Sequence, residues 1–147
     1  MLPYHPLVNL FLMHITTWNI RGCKSALKIC LLRRRIEKDK SGIVFLQETK
    51  FSREELSSIT RKVWKGCESV ALDTRGSTGG LGILWNPREV HLSSFLSTSC
   101  SLSADFHIIG TTIRVVISNV YGPPRAEQKT TFLDSISDIK AIVEGKA

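Results

Sequence analysis

Apolar residues in the first half of the chain switch between two periods, and each switch marks an element. Ile15 to Ile20 is rich in apolar and β-branched residues and stops at Gly22, which predicts a strand. From Lys24 to about Lys38 the apolar positions Ala26, Ile29, Leu32 and Ile36 recur at helical spacing, and Ser41-Gly42 reads as the break that follows. Ile43-Val44-Phe45-Leu46 is a short uninterrupted apolar run, the pattern of a strand covered on both faces. Ser52-Arg53-Glu54-Glu55 then offers a capping box, and Leu56, Ile59 and Val63 continue it as an amphipathic helix. Strand, helix, strand, helix in this order predicts an α/β arrangement that begins with a parallel strand pair.

The second half changes character. Ser69-Val70-Ala71-Leu72 is short and β-like, and Arg75-Gly76-Ser77-Thr78-Gly79-Gly80 is a glycine-rich loop. Leu81 to Trp85, closed by Asn86-Pro87, reads as the next strand. Val90-His91-Leu92, a Ser-rich stretch near Phe95, Cys100 to Ile109 and Ile113 to Val120 add more strands, and their tight connections predict an antiparallel meander. Tyr121-Gly122-Pro123-Pro124 stops the last strand. A helix from about Glu127 to Val143 follows, with Phe132, Leu133, Ile136, Ile139 and Val143 on one face.

A length of 147 residues points to one domain, large enough to bury roughly 68–70% of the surface its unfolded chain exposes. Hydrophobic and charged shares of 42% and 22% are ordinary globular values, which excludes collagen-like, Pro-rich and low-complexity classes. The net charge of +7 is unevenly spread: residues 1–65 hold 13 Lys/Arg against 5 Asp/Glu, and residues 66–147 hold 7 against 8. A basic half suits a polyanionic partner, nucleic acid or an anionic membrane surface, and equally a well-solvated basic surface. Arg33-Arg34-Arg35 falls on the later turns of the first helix, where positive charge suits the macrodipole. Without a groove to sit in, it reads as a solvated helix end rather than a phosphate clamp.

Cys23, Cys30, Cys67 and Cys100 form no C-x-x-C pair and no zinc pattern, so reduced thiols in an intracellular protein are expected. Residues 1–12 lack a basic n-region and carry Pro3 and Pro6. They read as a leader outside the fold, not as a signal peptide or a membrane span of about 20 apolar residues. Met13 is the more natural start, with 13–147 as the folded unit.

Three polar groups close predicted strands: Asn19, Glu48 and Tyr121. In sheets with helical cover, ligands gather where strands finish. Taken singly, the Asn suits a turn, the Glu a helix entry and the Tyr an anchored turn aromatic. Together, with Lys50 beside the carboxylate, they supply the amide, carboxylate, phenol and cation that suit a Mg²⁺-bound phosphodiester. Competing candidates are poorer. His91 and His107 lie within predicted strands without a neighbouring nucleophile, Gly79-Gly80-Leu81-Gly82 lacks dinucleotide-binding spacing, and Ser77 and Thr78 lack a nucleophile elbow.

In chain order, WNIRG (from Trp18), IVFLQETK (from Ile43), GGLGILWNP (from Gly79) and SNVYGPP (from Ser118) resemble the endonuclease/exonuclease/phosphatase family. They look most like the nuclease domain of plant non-LTR (LINE-type) retrotransposons, over residues 13–147. The resemblance implies a DNase I-like α/β fold, a four-layer α/β/β/α sandwich of two sheets with flanking helices. This chain resembles its N-terminal half, one mixed sheet with its helices. The implied activity is DNA phosphodiester cleavage by an endonuclease that depends on Mg²⁺ or Mn²⁺. Asn19 matches the Asn that lines the catalytic centre, Glu48 the metal-binding Glu, Lys50 the Lys that follows it, and Tyr121 the Tyr that contacts the phosphate. Arg21 stands where many apurinic endonucleases carry Asp and retroelement sequences often carry Arg; it cannot ligate a metal but can touch the DNA backbone.

The family pattern continues with G-D-x-N and S-D-H motifs, which this sequence does not contain. Three expectations follow: negligible nuclease activity of this chain alone, DNA as a partner with no membrane partner, and self-association through an exposed sheet face. Two alternatives stand beside the nuclease: a non-catalytic nucleic-acid-binding remnant, and a phosphoesterase of the same fold acting on another phosphoester. The expected location is inside the cell, the nucleus included.

Overall fold

A computed structural model of the chain describes residues 13–22, 25–73, 79–122 and 126–145. The expected leader, loop positions 74–78 and Pro123-Pro124 lie outside the described residues.

Strand β1 (His14–Asn19) pairs in parallel with β2 (Ser41–Gln47), from Ile15 opposite Ile43 to Asn19 opposite Gln47. The connection is helix α1 (Ala26–Asp39), capped by Ser25, whose hydroxyl accepts from Lys28 N at 3.2 Å. Leu32 and Ile36 are the residues this helix buries. The helix ends one residue earlier than the Ser41-Gly42 reading. Lys40 takes the left-handed conformation (φ 48°, ψ 47°), and its N–H reaches back to Glu37 O. Ser41 and Gly42 already belong to β2. A lysine in that conformation carries no signal in its residue type, whereas glycine does.

Helix α2 (Arg53–Val63) has the capping box read from the sequence. Ser52 Oγ accepts from Glu55 N at 3.2 Å, and Glu55 Oε2 accepts from Ser52 N at 2.9 Å. Leu56, Thr60 and Val63 form its buried face. Both helices cover one face of a four-stranded sheet of order β1-β2-β4-β3, which adds β3 (Glu68–Leu72) and β4 (Leu81–Trp85). β4 runs antiparallel to both neighbours. The packing is close: a Cβ at Gly82 of β4 would sit 2.9 Å from Leu56 Cδ2.

The expectation of one sheet with its helices is corrected here. Strands β5 (Val90–Ser97), β6 (Ser101–Ile108) and β7 (Arg114–Val120) form a second, antiparallel sheet in simple meander order. Only these three strands are the meander; β3 and β4 belong to the first sheet. The turn after β4 leads the chain between layers, with Asn86 Oδ1 accepting from Arg88 N at 3.0 Å. Leu102, Ala104, Phe106 and Ile108 of β6 then share a core with Ile43, Phe45, Ile83 and Trp85 of the first sheet. Trp85 and Phe106 meet edge-on at 5.2 Å between ring centroids.

The face of the first sheet is therefore closed by the second sheet, whose own residues Phe95, Leu96 and Val116 stay exposed. Alternation along β6 is what makes the closure favourable, because it presents four apolar residues to one side.

A 3₁₀ turn (Ala126–Gln128) leads into helix α3 (Lys129–Gly145). Of its expected apolar face only Ile139 is buried, while Leu133 remains 60% exposed and Ile136 is also exposed. Among the described residues, no helix is long and apolar enough to cross a membrane.

Candidate active site

The parallel pairing of β1 and β2 fixes the site, because it brings two strand ends and the segments leaving them side by side. Asn19 lies opposite Gln47, so Asn19 and Glu48 are neighbours across the strands. Beyond the ladder, Ile20 N donates to Gln47 O at 3.0 Å and Gly22 N donates to Glu48 O at 2.7 Å. The two loops thus stay zipped together past the last strand residues.

Backbone conformation at this point is unusual. Arg21, Glu48 and Lys50 have φ of 46°, 52° and 55°, and they are three of the four non-glycine residues with positive φ among the described residues. Non-glycine residues in this region carry strain and persist where their surroundings over-determine them. Those surroundings can be named. Lys28 of α1 donates from Nζ to the carbonyls of Ile20, Arg21 and Gly22 at 3.0–3.1 Å. Asn19 Oδ1 accepts from Arg21 N at 3.3 Å. On the other side, Lys50 N donates to Gly79 O at 2.7 Å and Thr49 N to Gly80 O at 3.3 Å. A Cβ on Gly79 would lie 2.6 Å from Glu48 Cα, a contact that only glycine permits. The Gly79-Gly80 pair is no dinucleotide fingerprint; it is the wall against which Glu48 is seated.

Tyr121 arrives from the other sheet. Its hydroxyl donates to Glu48 Oε1 at 2.5 Å across 73 positions of sequence. This bond, then the Asn19 amide, then the charges of Arg21 and Lys50 hold the Glu48 carboxyl below its ordinary range. The same bond raises the Tyr121 phenol above its ordinary value, so the proton stays on the Tyr oxygen at neutral pH. The five residues singled out in the sequence (Asn19, Arg21, Glu48, Lys50 and Tyr121) are therefore gathered at one pole of the sandwich. Arg21 and Lys50 are exposed there, and the Lys50 stem runs along Gly22, 3.5 Å from where a Cβ would be.

Two residues inside the quoted motifs had been passed over. Asn119 is fully buried and donates from Nδ2 to Leu46 O and Gly82 O, both at 3.0 Å. Gln47 donates from Nε2 to Asn119 Oδ1 at 3.1 Å and to Val120 O at 2.9 Å. This amide pair stitches β7 to β2 and β4 directly beneath the Tyr121–Glu48 bond. The signal available in the sequence was an Asn two positions before Tyr121, following the apolar run Val115-Val116-Ile117.

The rejected histidines remain ordinary. His91 is exposed, and His107 bonds through Nε2 to Thr111 O at 2.6 Å. Ser77 and Thr78 lie outside the described residues.

Among the described residues no group of three or more His, Cys, Asp or Glu gathers to hold a metal. Glu48 stands as one carboxylate, with one oxygen bonded by Tyr121 and the Asn19 amide beside it. That donor set fits Mg²⁺ in the mode that uses one or two carboxylates and takes its remaining ligands from phosphate and water. A cavity of about 690 Å³ opens beside Tyr121, walled by Gly79, Gly80, the β5–β6 turn at Thr98 and Phe132 of α3. Its volume falls in the range of small-ligand sites.

No protein-family model matches the sequence, and the curated proteins contain no match. Solved structures do match. An endonuclease/exonuclease/phosphatase family protein from Bacteroides thetaiotaomicron superposes with a TM-score of 0.69 at 9% identity, covering 91% of this chain and 59% of its own. The human Nocturnin catalytic domain gives 0.65 at 14% identity, with 90% and 59% covered. The endonuclease domain of TRAS1, a telomere-specific non-LTR retrotransposon, gives 0.62 at 15% identity, with 84% and 51% covered. The chain thus spans between half and three-fifths of the length of these structures. Two facing sheets, flanking helices and these superpositions together establish that the chain has the DNase I-like fold of the endonuclease/exonuclease/phosphatase proteins.

Proposed function

We propose that this chain carries a nucleic-acid phosphodiesterase site, of the DNA endonuclease kind resembled by retroelement nucleases, and that the 147-residue chain alone turns over negligibly. The observation that carries the reading is the Tyr121–Glu48 hydrogen bond, which joins strand ends of two different sheets at a pole furnished with Arg21 and Lys50. Glu48 would hold Mg²⁺ or Mn²⁺, and the bound ion would supply positive charge to the phosphoryl oxygens. The chain's own groups do the rest. Arg21 and Lys50 meet the phosphate, Tyr121 keeps its proton as a donor, and Asn19 offers an amide at the same point. Among the described residues, a lone carboxylate occupied as a ligand leaves no second carboxylate or histidine beside it to move the proton of an attacking water, and such help is worth roughly 10²–10⁴ in rate. That deficit is the basis for expecting negligible turnover.

Two measurements test this. Mn²⁺ binding followed by electron paramagnetic resonance should be weak in the parent chain and lost in Glu48→Gln; equal binding in both would remove Glu48 as the ligand. Supercoiled plasmid incubated with Mg²⁺ should stay closed. Robust nicking abolished by Glu48→Ala would instead make the chain a competent nuclease.

A second reading, a nucleic-acid-binding module without catalysis, is favoured by the lack of a three-ligand group among the described residues. Binding that weakens steeply with salt, with no Mn²⁺ affinity, would select it. A third, the same chemistry on another phosphoester, is separated only by substrate assays.

A further inference from the structure

Of the arginine run on α1, the structure sets one residue, Arg33, in the wall of a groove. At the pole opposite Glu48, where α1 and α2 both end and β2 begins, this groove of about 640 Å³ is lined by four cations (Arg33, Lys40, Lys62 and Lys65), two carboxylates (Glu37 and Glu89) and Trp64. Seven-residue β2 separates this groove from the candidate active site by about 20 Å.

The side chains there are arranged rather than merely near. Arg33 donates from its guanidinium to the carbonyl of Lys62, which ties the middle of α1 to the end of α2 and seats one cation in the groove wall. Arg34 and Arg35 stay outside it, and Arg35 pairs with Asp39. Lys40, Lys62 and Lys65 are exposed, and none of the groove's four cations forms an ion pair within 4 Å among the described residues. Trp64 follows α2 as its C-cap, half-buried, packed against the core and lining the groove.

Cations without ion-pair partners around an aromatic anchored in the core form the arrangement that holds a single nucleic-acid strand, by charge along the backbone and stacking on the ring. A lipid surface fits less well. Ile36 and Val63 in the lining are buried, and the one aromatic is held half inside the core, so no apolar side chain projects to insert. The volume is that of a site for one small ligand, which admits a nucleotide unit of a single strand.

We infer that this groove is a second nucleic-acid contact, a single-strand binding site separate from the candidate active site, with Trp64 as the stacking platform and Lys62 and Lys65 as backbone contacts. The test is fluorescence anisotropy of a labelled 20-nucleotide oligo-dT with the full 147-residue chain in EDTA, so that cleavage plays no part. The double variant Lys62→Glu, Lys65→Glu should bind at least tenfold more weakly and lower the slope of log affinity against log salt by about 1.4. Trp64→Ala should weaken binding roughly 5- to 150-fold, and Trp64→Phe should recover part of it. Circular dichroism of each variant reports whether the fold is retained, and Lys62 and Lys65 are exposed enough for the double variant to fold. Arg34→Ala, on the same helix but outside the groove, should bind as the parent does, and the EDTA keeps the result independent of metal binding at Glu48. Parent affinity in the folded double variant overturns the inference. So does a loss confined to Arg21 and Lys50 variants, absence of oligo-dT binding at low salt, or binding to phosphatidylserine vesicles in preference to the oligonucleotide.

Discussion

Asn119 bears on both stability and the site, and its removal has a calculable effect. The side chain is buried and makes three hydrogen bonds: to Leu46 O, to Gly82 O and from Gln47 Nε2. At about 1 kcal/mol net each, Asn119→Ala loses about 3 kcal/mol, and stranding buried partners raises the total to about 3–5 kcal/mol. A domain of this size commonly has only about 5–15 kcal/mol to lose. Urea unfolding followed by far-UV circular dichroism should therefore show a sharply lowered midpoint with an unchanged slope. Gln47→Leu provides the cross-check, because its effect and that of Asn119→Ala should fail to add, with a coupling of about 0.5–3 kcal/mol. A loss under about 1 kcal/mol, or strict additivity, would refute the reasoning that this amide pair fastens the two sheets.

Tyr121→Phe tests the bond above that pair through its pH dependence. Glu48 is depressed in the folded state, so its share of stability is present above its ordinary value of 4.5 and is lost as pH falls through the folded value. Tyr121 is raised, so its share is present below its ordinary value of 10.0 and is lost as pH rises through the folded value. The stability gap between parent and Tyr121→Phe should thus be level from about pH 5 to 9 and shrink at both ends; a gap that grows toward acid would contradict it. Gly79→Ala should displace Glu48, costing about 1–3 kcal/mol in thermal unfolding and abolishing Mn²⁺ binding, since the new Cβ meets backbone 2.6 Å away. Lys40→Gly should stabilise the chain by up to about 1 kcal/mol, because glycine takes the left-handed cap without strain; a lowered melting temperature would count against that cap geometry. Cys67, its thiol pushed up to about 11 by burial, should resist iodoacetamide at pH 8 in the native chain and react once urea unfolds it.

Local patterns were legible in the sequence. The spacing of Leu32 and Ile36, the Ser52–Glu55 box and the apolar run in β2 each act over a few residues, and the structure contains all three. Asn19, Glu48 and Tyr121 were legible as polar groups at strand ends, but their convergence depends on the β1–β2 pairing and on the second sheet. Partner choice over long range was not. Nothing in Val90 to Ser97 says that it faces a different sheet from Leu81 to Trp85, since both alternate or run apolar over similar lengths. The role of Asn119 depends on carbonyls 37 and 73 positions away. The left-handed turns at Arg21, Lys40, Glu48 and Lys50 fall on residue types that seldom adopt them, so composition hid them. On α3 the opposite error arose: a regular apolar stripe promised burial that only Ile139 obtains.

The Tyr121–Glu48 bond spans two layers that are otherwise joined by side-chain packing and by the hydrogen bonds of the Asn119–Gln47 pair. The first sheet has its own helices and core, so β1, β2, α1 and α2 can assemble before β7 arrives. The site cannot, because its phenol and its carboxylate belong to different layers. During refolding, helical signal should therefore return ahead of any ligand affinity, and the interval between the two measures how slowly the layers find their register. A slip of one residue between them, about 3.3 Å, is enough to part the pair. The bond thus makes the site a sensor of correct docking: a misaligned sandwich retains its secondary structure and lacks its chemistry.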